Sequence, residues 1–163
     1  MKTIRKGRLI GLIGLISDTH GLLRPEALRA LEGSDLIIHA GDVGDPKILE
    51  ELRRLAPVVA VRGNIDTGAC ADLPETAVAQ AGSALIYVLH DISKLDLKPE
   101  AAGMRMVVSG HSHKPSQQER EGVIYVNPGS AGPRRFKLPV TIARVEVTPS
   151  PWRVEFVDLA PQK

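Results

Sequence analysis

The chain of 163 residues carries a single cysteine, Cys70. One thiol excludes an internal disulfide and any cysteine-based zinc cage, and it fits a reducing cytoplasm. Aromatic residues make up only 3% of the sequence, so a core must be assembled from Val, Ile, Leu and Ala. An excess of one charge is also missing, since 21 basic and 19 acidic side chains leave a net charge of +2. No basic stripe runs along the chain, the nearest approach being Arg134 and Arg135. Nucleic-acid binding through counterion release is therefore not indicated. No apolar run approaches the roughly 20 residues needed to span a bilayer.

What remains is an ordinary globular composition, 43% hydrophobic and 25% charged. The basic start, residues 1–8, runs into an apolar stretch at 9–16 that superficially resembles a signal peptide. That stretch is short, holds two glycines and lacks a small-residue cleavage site, so it reads as a buried strand behind a short basic leader. Residues 9–160 then form one domain, and the expected location is cytoplasmic.

Apolar runs and helical patterns alternate through the first half. Strands are expected at 9–16, 35–40 and 57–61. Between them, Pro25 opens a helix carrying Ala27, Leu28 and Leu31 that stops at Gly33. Asp45 caps a second helix with Pro46 at its first position and Ile48, Leu49, Leu52 and Leu55 as its apolar stripe. This order implies a parallel βαβαβ unit. In the second half, strands are expected at 76–80, 84–89, 104–109, 116–120, 123–126, 140–147 and 152–159, with a brief helix near 98–102. These strands suggest a mostly antiparallel sheet. The fold class is α/β: a two-sheet mixed β-sandwich flanked by helices.

Metal-competent residues follow these strands directly. The strand ends carry Asp18-Thr19-His20, His39-Ala40-Gly41-Asp42, Gly63-Asn64-Ile65-Asp66, His90-Asp91 and Gly110-His111-Ser112-His113. Ligands of open α/β sheets bind outside the carboxyl ends of the strands, so these segments can converge on one cleft. Each signal is weak alone, since an Asp after a strand is more often a turn residue or a cap. Together they place four of the chain's 5 histidines with two aspartates and an asparagine. Imidazoles, carboxylates and an amide oxygen without thiolate suit Mn, Fe, Co, Ni or Zn, with manganese foremost. Asp18, His20, Asp42, Asn64, His90, His111 and His113 are too many ligands for one transition ion. They serve two if Asp42 bridges. Two such ions would share a hydroxide, a nucleophile aligned for attack on phosphorus.

Asp-x-His, Gly-Asp, Gly-Asn-x-Asp, His and Gly-His-x-His, in that order, resemble the calcineurin-like metallophosphoesterases, and most closely their small bacterial and archaeal phosphodiesterase members. The likeness runs from about Leu9 to Leu159 and includes Asn127-Pro128-Gly129-Ser130 with Pro133 and Arg134. It implies a two-sheet β-sandwich flanked by helices. One metal would take Asp18, His20, Asp42 and His113, and the other Asp42, Asn64, His90 and His111. The substrate would be a small phosphate ester, with diesters favoured over monoesters. A eukaryotic retromer subunit shares this fold with an impaired metal site, so a protein–protein scaffold is the alternative. Retention of all the ligands argues for the enzyme. A homo-oligomer is neither required nor excluded.

Two positions depart from the family pattern. Ile65 stands where relatives carry Cys or a proton-donating His, so the leaving group lacks a dedicated acid. Asp91 replaces a usual Gly; it either supports a liganding imidazole or narrows the entrance. His39 reads as a backbone-satisfied histidine, or as a proton donor or support near the bridge. Asp66 reads as a turn residue or an orienting carboxylate. Asn64, Arg134 and Arg135 are candidates for phosphate contact, as are the backbone N–H groups of Asn127-Pro128-Gly129-Ser130. Cys70 has no neighbouring base and does not read as a nucleophile.

Overall fold

The computed structural model describes residues 9–160. The basic leader assigned to residues 1–8 lies outside them. Ten strands form two five-stranded sheets. The first is ordered β10-β9-β1-β2-β3 and is built from β1 (Leu12–Ile16), β2 (Leu36–His39), β3 (Val58–Ala60), β9 (Thr141–Glu146) and β10 (Arg153–Asp158). The second is ordered β4-β5-β6-β8-β7, from β4 (Thr76–Ala81), β5 (Ala84–Leu89), β6 (Met104–Val108), β7 (Ser116–Arg120) and β8 (Val123–Asn127). Helices α1 (Pro25–Leu31) and α2 (Pro46–Arg53) connect β1 to β2 and β2 to β3. None is long and apolar enough to cross a membrane among the described residues.

Side-chain alternation along the strands generates the layers. Ile13 and Leu15 of β1, with Leu36 and Ile38 of β2, face Ile86, Val88, Met106, Val108, Ile124 and Val126 of the second sheet. The intervening Ile16 and Ile37 point the other way, onto Ala27, Leu31, Ile48, Leu49 and Leu52 of the helices. Each fully buried Leu or Ile here contributes on the order of 1.5–3 kcal/mol. Both helices start on proline, whose missing N–H costs nothing in the first turn. Asp45 caps α2 by accepting from the Lys47 N–H at 2.9 Å.

The parallel βαβαβ unit is present, with β1, β2 and β3 in parallel register. Three expectations are corrected. The first strand begins at Leu12, because the Gly11 and Leu12 N–H groups turn to the Asp35 carboxylate at 2.8 and 3.0 Å. The second sheet is evenly mixed: β5-β6 and β6-β8 are parallel, β4-β5 and β7-β8 antiparallel. Meanwhile β9 and β10 return antiparallel to the first sheet. Residues 98–102 make one turn rather than a helix. The Ala102 N–H reaches the Lys98 carbonyl at 3.0 Å, and Gly103, at φ 77°, ends it.

Candidate metal centre

The ends of β1, β2 and β3 meet the ends of β5 and β6 along one edge of the sandwich, and all seven predicted ligands gather there. Their backbones are unusual. Among the described residues, the non-glycine positions with positive φ are Asp18, His20, Asp42, His111, His113, Glu121 and Phe136. Five of those are predicted ligands, each held in a left-handed conformation that costs a non-glycine residue roughly 1–2 kcal/mol. Such strain persists only where the surrounding structure over-determines it, and it concentrates at functional sites.

That surrounding structure is a lattice of hydrogen bonds between the loops. Asp18 N–H donates to Gly41 C=O at 3.0 Å and His20 N–H to Asp42 C=O at 2.9 Å, lacing the first two loops together. Asp18 Oδ2 accepts from Ser17 Oγ at 2.7 Å and from the His111 N–H at 3.1 Å. Asp66 is a clamp: its two oxygens accept from Gly44 N–H at 3.0 Å and Gly63 N–H at 2.8 Å. Glycines make the close approaches feasible. A methyl group at Gly63 would fall on Asp42 Oδ1, and one at Gly110 would fall on Ser17 Oγ.

Two groups of ligand atoms result. In the first, Asp18 Oδ1 lies 3.3 Å from His113 Nε2 and 3.7 Å from His20 Nε2. Asp42 Oδ2 sits 3.5 Å from the same His20 nitrogen. In the second, His90 Nε2 lies 3.0 Å from Asn64 Oδ1, 3.3 Å from His111 Nδ1 and 3.3 Å from Asp42 Oδ2. His111 Nδ1 is itself 3.2 Å from Asn64 Oδ1. Asp42 Oδ2 is therefore common to both groups, while its Oδ1 is held by the Ile65 N–H at 3.0 Å. Asp18 Oδ1 also lies 3.8 Å from His90 Nε2, so the groups are contiguous.

The chemistry of these atoms fits divalent cations. His90 Nδ1 is 2.8 Å from the Ala40 carbonyl, which can only accept, so Nδ1 carries the proton and Nε2 presents its lone pair. Lone pairs of His90, Asn64 and Asp42 then converge with no donor between them. Asp18 Oδ1 and His20 Nε2 are buried and have no hydrogen-bond partner among the described residues. Unpaired buried polar atoms are costly unless something else satisfies them. Two sets within this cluster, Asp18-His20-His113 and Asp18-Asp42-His90, have ligand atoms close enough to share an ion. The electrostatics agree. Burial opposes charging His90, but Asp42, Asp18 and the Ala40 carbonyl outweigh it and raise its pKa. Burial likewise opposes the Asp42 carboxylate, yet His90 and the Ile65 N–H hold its pKa below the usual value.

The calcineurin-like phosphoesterase superfamily domain matches residues 12–150. The chain belongs to that superfamily. A protein of Methanothermobacter thermautotrophicus named probable metallophosphoesterase is 36% identical over 148 residues, covering 83% of this chain and 86% of the relative. A Methanocaldococcus jannaschii protein named phosphodiesterase is 26% identical over 137 residues, covering 72% of this chain and 82% of its own. Among solved structures, a conserved Streptococcus pneumoniae protein described as a predicted phosphoesterase superposes with a TM-score of 0.74 at 27% identity, over 94% of this chain and 92% of that one. The fold is the metallophosphoesterase fold, the activity class is phosphoester hydrolysis, and the buried Asp/His cluster suits divalent metal.

The remaining candidates fall into place around this superfamily centre. His39 is fully buried. Thr19 Oγ1 donates to Val43 C=O at 2.8 Å and so accepts from His39 Nε2–H at 3.0 Å. His39 Nδ1 accepts from the Gly41 N–H at 3.1 Å. Both nitrogens are engaged inside the protein and neither faces the cleft. Burial lowers its pKa to about 4, so the ring is neutral.

Arg134 is pinned to the carbonyls of Leu138 at 3.1 Å and of Ala160. Burial lowers the pKa of His113, and the positive charge of the exposed Arg135 acts in the same direction. Of the N–H groups expected to greet phosphate in the late loop, that of Gly129 bonds Asn127 Oδ1 at 2.9 Å, and just beyond the loop those of Ala131 and Gly132 bond Ser17 C=O and Ser130 Oγ. Instead, the Asn127 amide clamps the Gly110 carbonyl at 2.9 Å and Ser112 Oγ at 3.0 Å. That clamp, and the strained backbones it maintains, escaped sequence reasoning. The one available signal was Asn127 itself, a polar residue ending an otherwise apolar strand.

Proposed function

We propose that the chain hydrolyses phosphodiesters with two divalent transition-metal ions, manganese foremost. One would be held by Asp18, His20, Asp42 and His113, the other by Asp42, Asn64, His90 and His111. The carrying observation is that Asn64 Oδ1, His111 Nδ1 and Asp42 Oδ2 all lie within 3.0–3.3 Å of His90 Nε2. Divalent ions bound there supply Lewis acidity that brings a water's pKa toward neutrality and neutralises phosphate oxygens.

The chain's own residues orient and separate the charges. Asp42 aims one oxygen at both groups and is stopped from turning by the Ile65 N–H on the other. The Ala40 carbonyl fixes the His90 tautomer. His39 acts as a positioning residue that holds Thr19 and Gly41, and thereby Asp18 and Asp42, rather than as a proton donor. Arg135 is exposed, whereas Arg134 is held by the Leu138 carbonyl, so Arg135 is the freer of the two to meet a phosphate oxygen. Ile65 is 39% exposed and has no proton to give, which favours diesters with leaving groups that depart without a protein acid. The relative named phosphodiesterase supports the same preference.

The scaffold alternative predicts loss of one or more ligands, and all seven are retained. The test is turnover of bis(p-nitrophenyl) phosphate against p-nitrophenyl phosphate by manganese-loaded protein. Faster diester turnover is expected; equal or faster monoester turnover overturns the diester preference, and no turnover of either overturns the enzyme.

A further inference from the structure

Beside the His90 group, a cleft of about 550 Å³ opens to one side. Asn64, His90 and His111 form its inner wall, so it is continuous with the candidate metal centre. Its outer wall comes from the segment after β3, the start of β4 and the segment after β5. Leu89 and Ala71 are the apolar side chains of its lining, and the others are polar, charged or glycine.

Several of its charged residues are already committed. Arg62 donates to the Ala71 carbonyl at 3.1 Å and to Glu75 Oε1 at 2.6 Å. Asp66 is consumed by the two glycine N–H groups. Asp91 Oδ1 is occupied by the Ser93 N–H at 3.0 Å and hydroxyl at 2.8 Å, while Oδ2 sits 3.9 Å from His111 Nε2. Lys94 and Asp96 remain, and neither makes a side-chain hydrogen bond or ion pair among the described residues.

We propose that this cleft receives an uncharged, hydroxyl-bearing substituent of the phosphate ester, a glycerol or sugar unit, through Asp96 as acceptor and Lys94 as donor. The inference rests on the phosphoesterase reading of the adjoining centre. Hydroxyls both donate and accept, so they satisfy a carboxylate and an ammonium together. A second phosphate would meet the Asp91 and Asp96 carboxylates. A cationic substituent would pair with Asp96 but leave the Lys94 ammonium without an acceptor.

Non-hydrolysable phosphonates separate these arms without relying on turnover. Calorimetry on the manganese-loaded full chain would compare methylphosphonate, 3,4-dihydroxybutylphosphonate, 2-aminoethylphosphonate and propane-1,3-bisphosphonate. Wild type should bind the dihydroxybutyl compound about tenfold more tightly than methylphosphonate, the size of one hydrogen bond to a charged group. Asp96→Ala and Lys94→Ala should bring that ratio to within about twofold. Equal affinities in wild type, tightest binding of the amino or bisphosphonate compound, or an unaltered ratio in both variants would overturn the proposal. A hydroxyl preference without hydrolysis of any ester would leave the cleft's specificity standing and remove the hydrolase reading. Hydrolysis without the preference would do the reverse.

Discussion

His90 Nε2 and Asn64 Oδ1 lie 3.0 Å apart, and with His90 Nδ1 donating to the Ala40 carbonyl at 2.8 Å the neutral ring turns an acceptor toward the amide oxygen. Two lone pairs at that distance repel unless a cation or proton sits between them. The centre thus favours positive charge between these atoms, in keeping with the raised pKa of His90.

Strain at the ligands predicts an inversion of the usual ranking of substitutions. His111 has φ 71°, so glycine suits its backbone and alanine does not. His111→Gly should be more stable than His111→Ala by about 1 kcal/mol. Both should lose activity. Urea denaturation of the two metal-free variants checks this, and equal midpoints would mean that the left-handed backbone is not strained.

Gly63 illustrates the opposite case. Gly63→Ala adds only a methyl group, but that group collides with the Asp42 carboxylate. The variant should fold, bind less metal and lose at least about tenfold in kcat, as expected when a centre is displaced by a fraction of an ångström. Wild-type kcat in Gly63→Ala would show that Asp42 has room to move.

His39 makes a pH prediction. Its pKa falls from 6.5 to about 4 on folding, so the unfolded chain takes up a proton that the folded chain refuses. Stability is complete above pH 6.5 and is lost as pH falls from there toward 4, by roughly 3 kcal/mol in all. Metal-free His39→Gln should lack that portion of the slope when unfolding free energies are compared from pH 7 to 4. Parallel curves for variant and wild type would contradict the neutral, buried assignment.

Asp91 holds its carboxylate near His111 Nε2, the nitrogen opposite the one facing Asn64. A carboxylate behind a liganding imidazole orients the ring and raises its basicity. Asp91→Asn should weaken metal binding at the His90 group by about 10–100-fold and leave the His20 group loaded. Unchanged titration of both ions would make Asp91 a turn residue only, through its bonds to Ser93.

Much of this was legible in the sequence because periodicity and strand-end chemistry are local. Residues 9–40 alone announce a strand, a proline-started helix and a second strand, with Asp18 and His20 between them. Residue type and position were enough to name the seven candidate ligands, which lie together at the strand ends. Sheet assignment was less legible, since whether β9 joins the strand before it or returns to β1 depends on contacts more than a hundred residues apart. The fate of individual donors was hidden for a similar reason. Arg134 looks available for phosphate until Leu138 and Ala160 are seen to hold it. Of the two readings His39 allowed, the structure favours the satisfied, buried histidine, because Thr19 and Gly41 occupy both nitrogens.

If Asp42 joins two metal sites, its removal empties both. Elemental analysis of manganese-reconstituted protein, wild type beside Asp42→Ala, Asn64→Ala and His20→Ala, reads this out. Two ions per chain are expected in wild type, close to none in Asp42→Ala, and one in each of the others. A single ion in wild type, or full occupancy in Asp42→Ala, would contradict it.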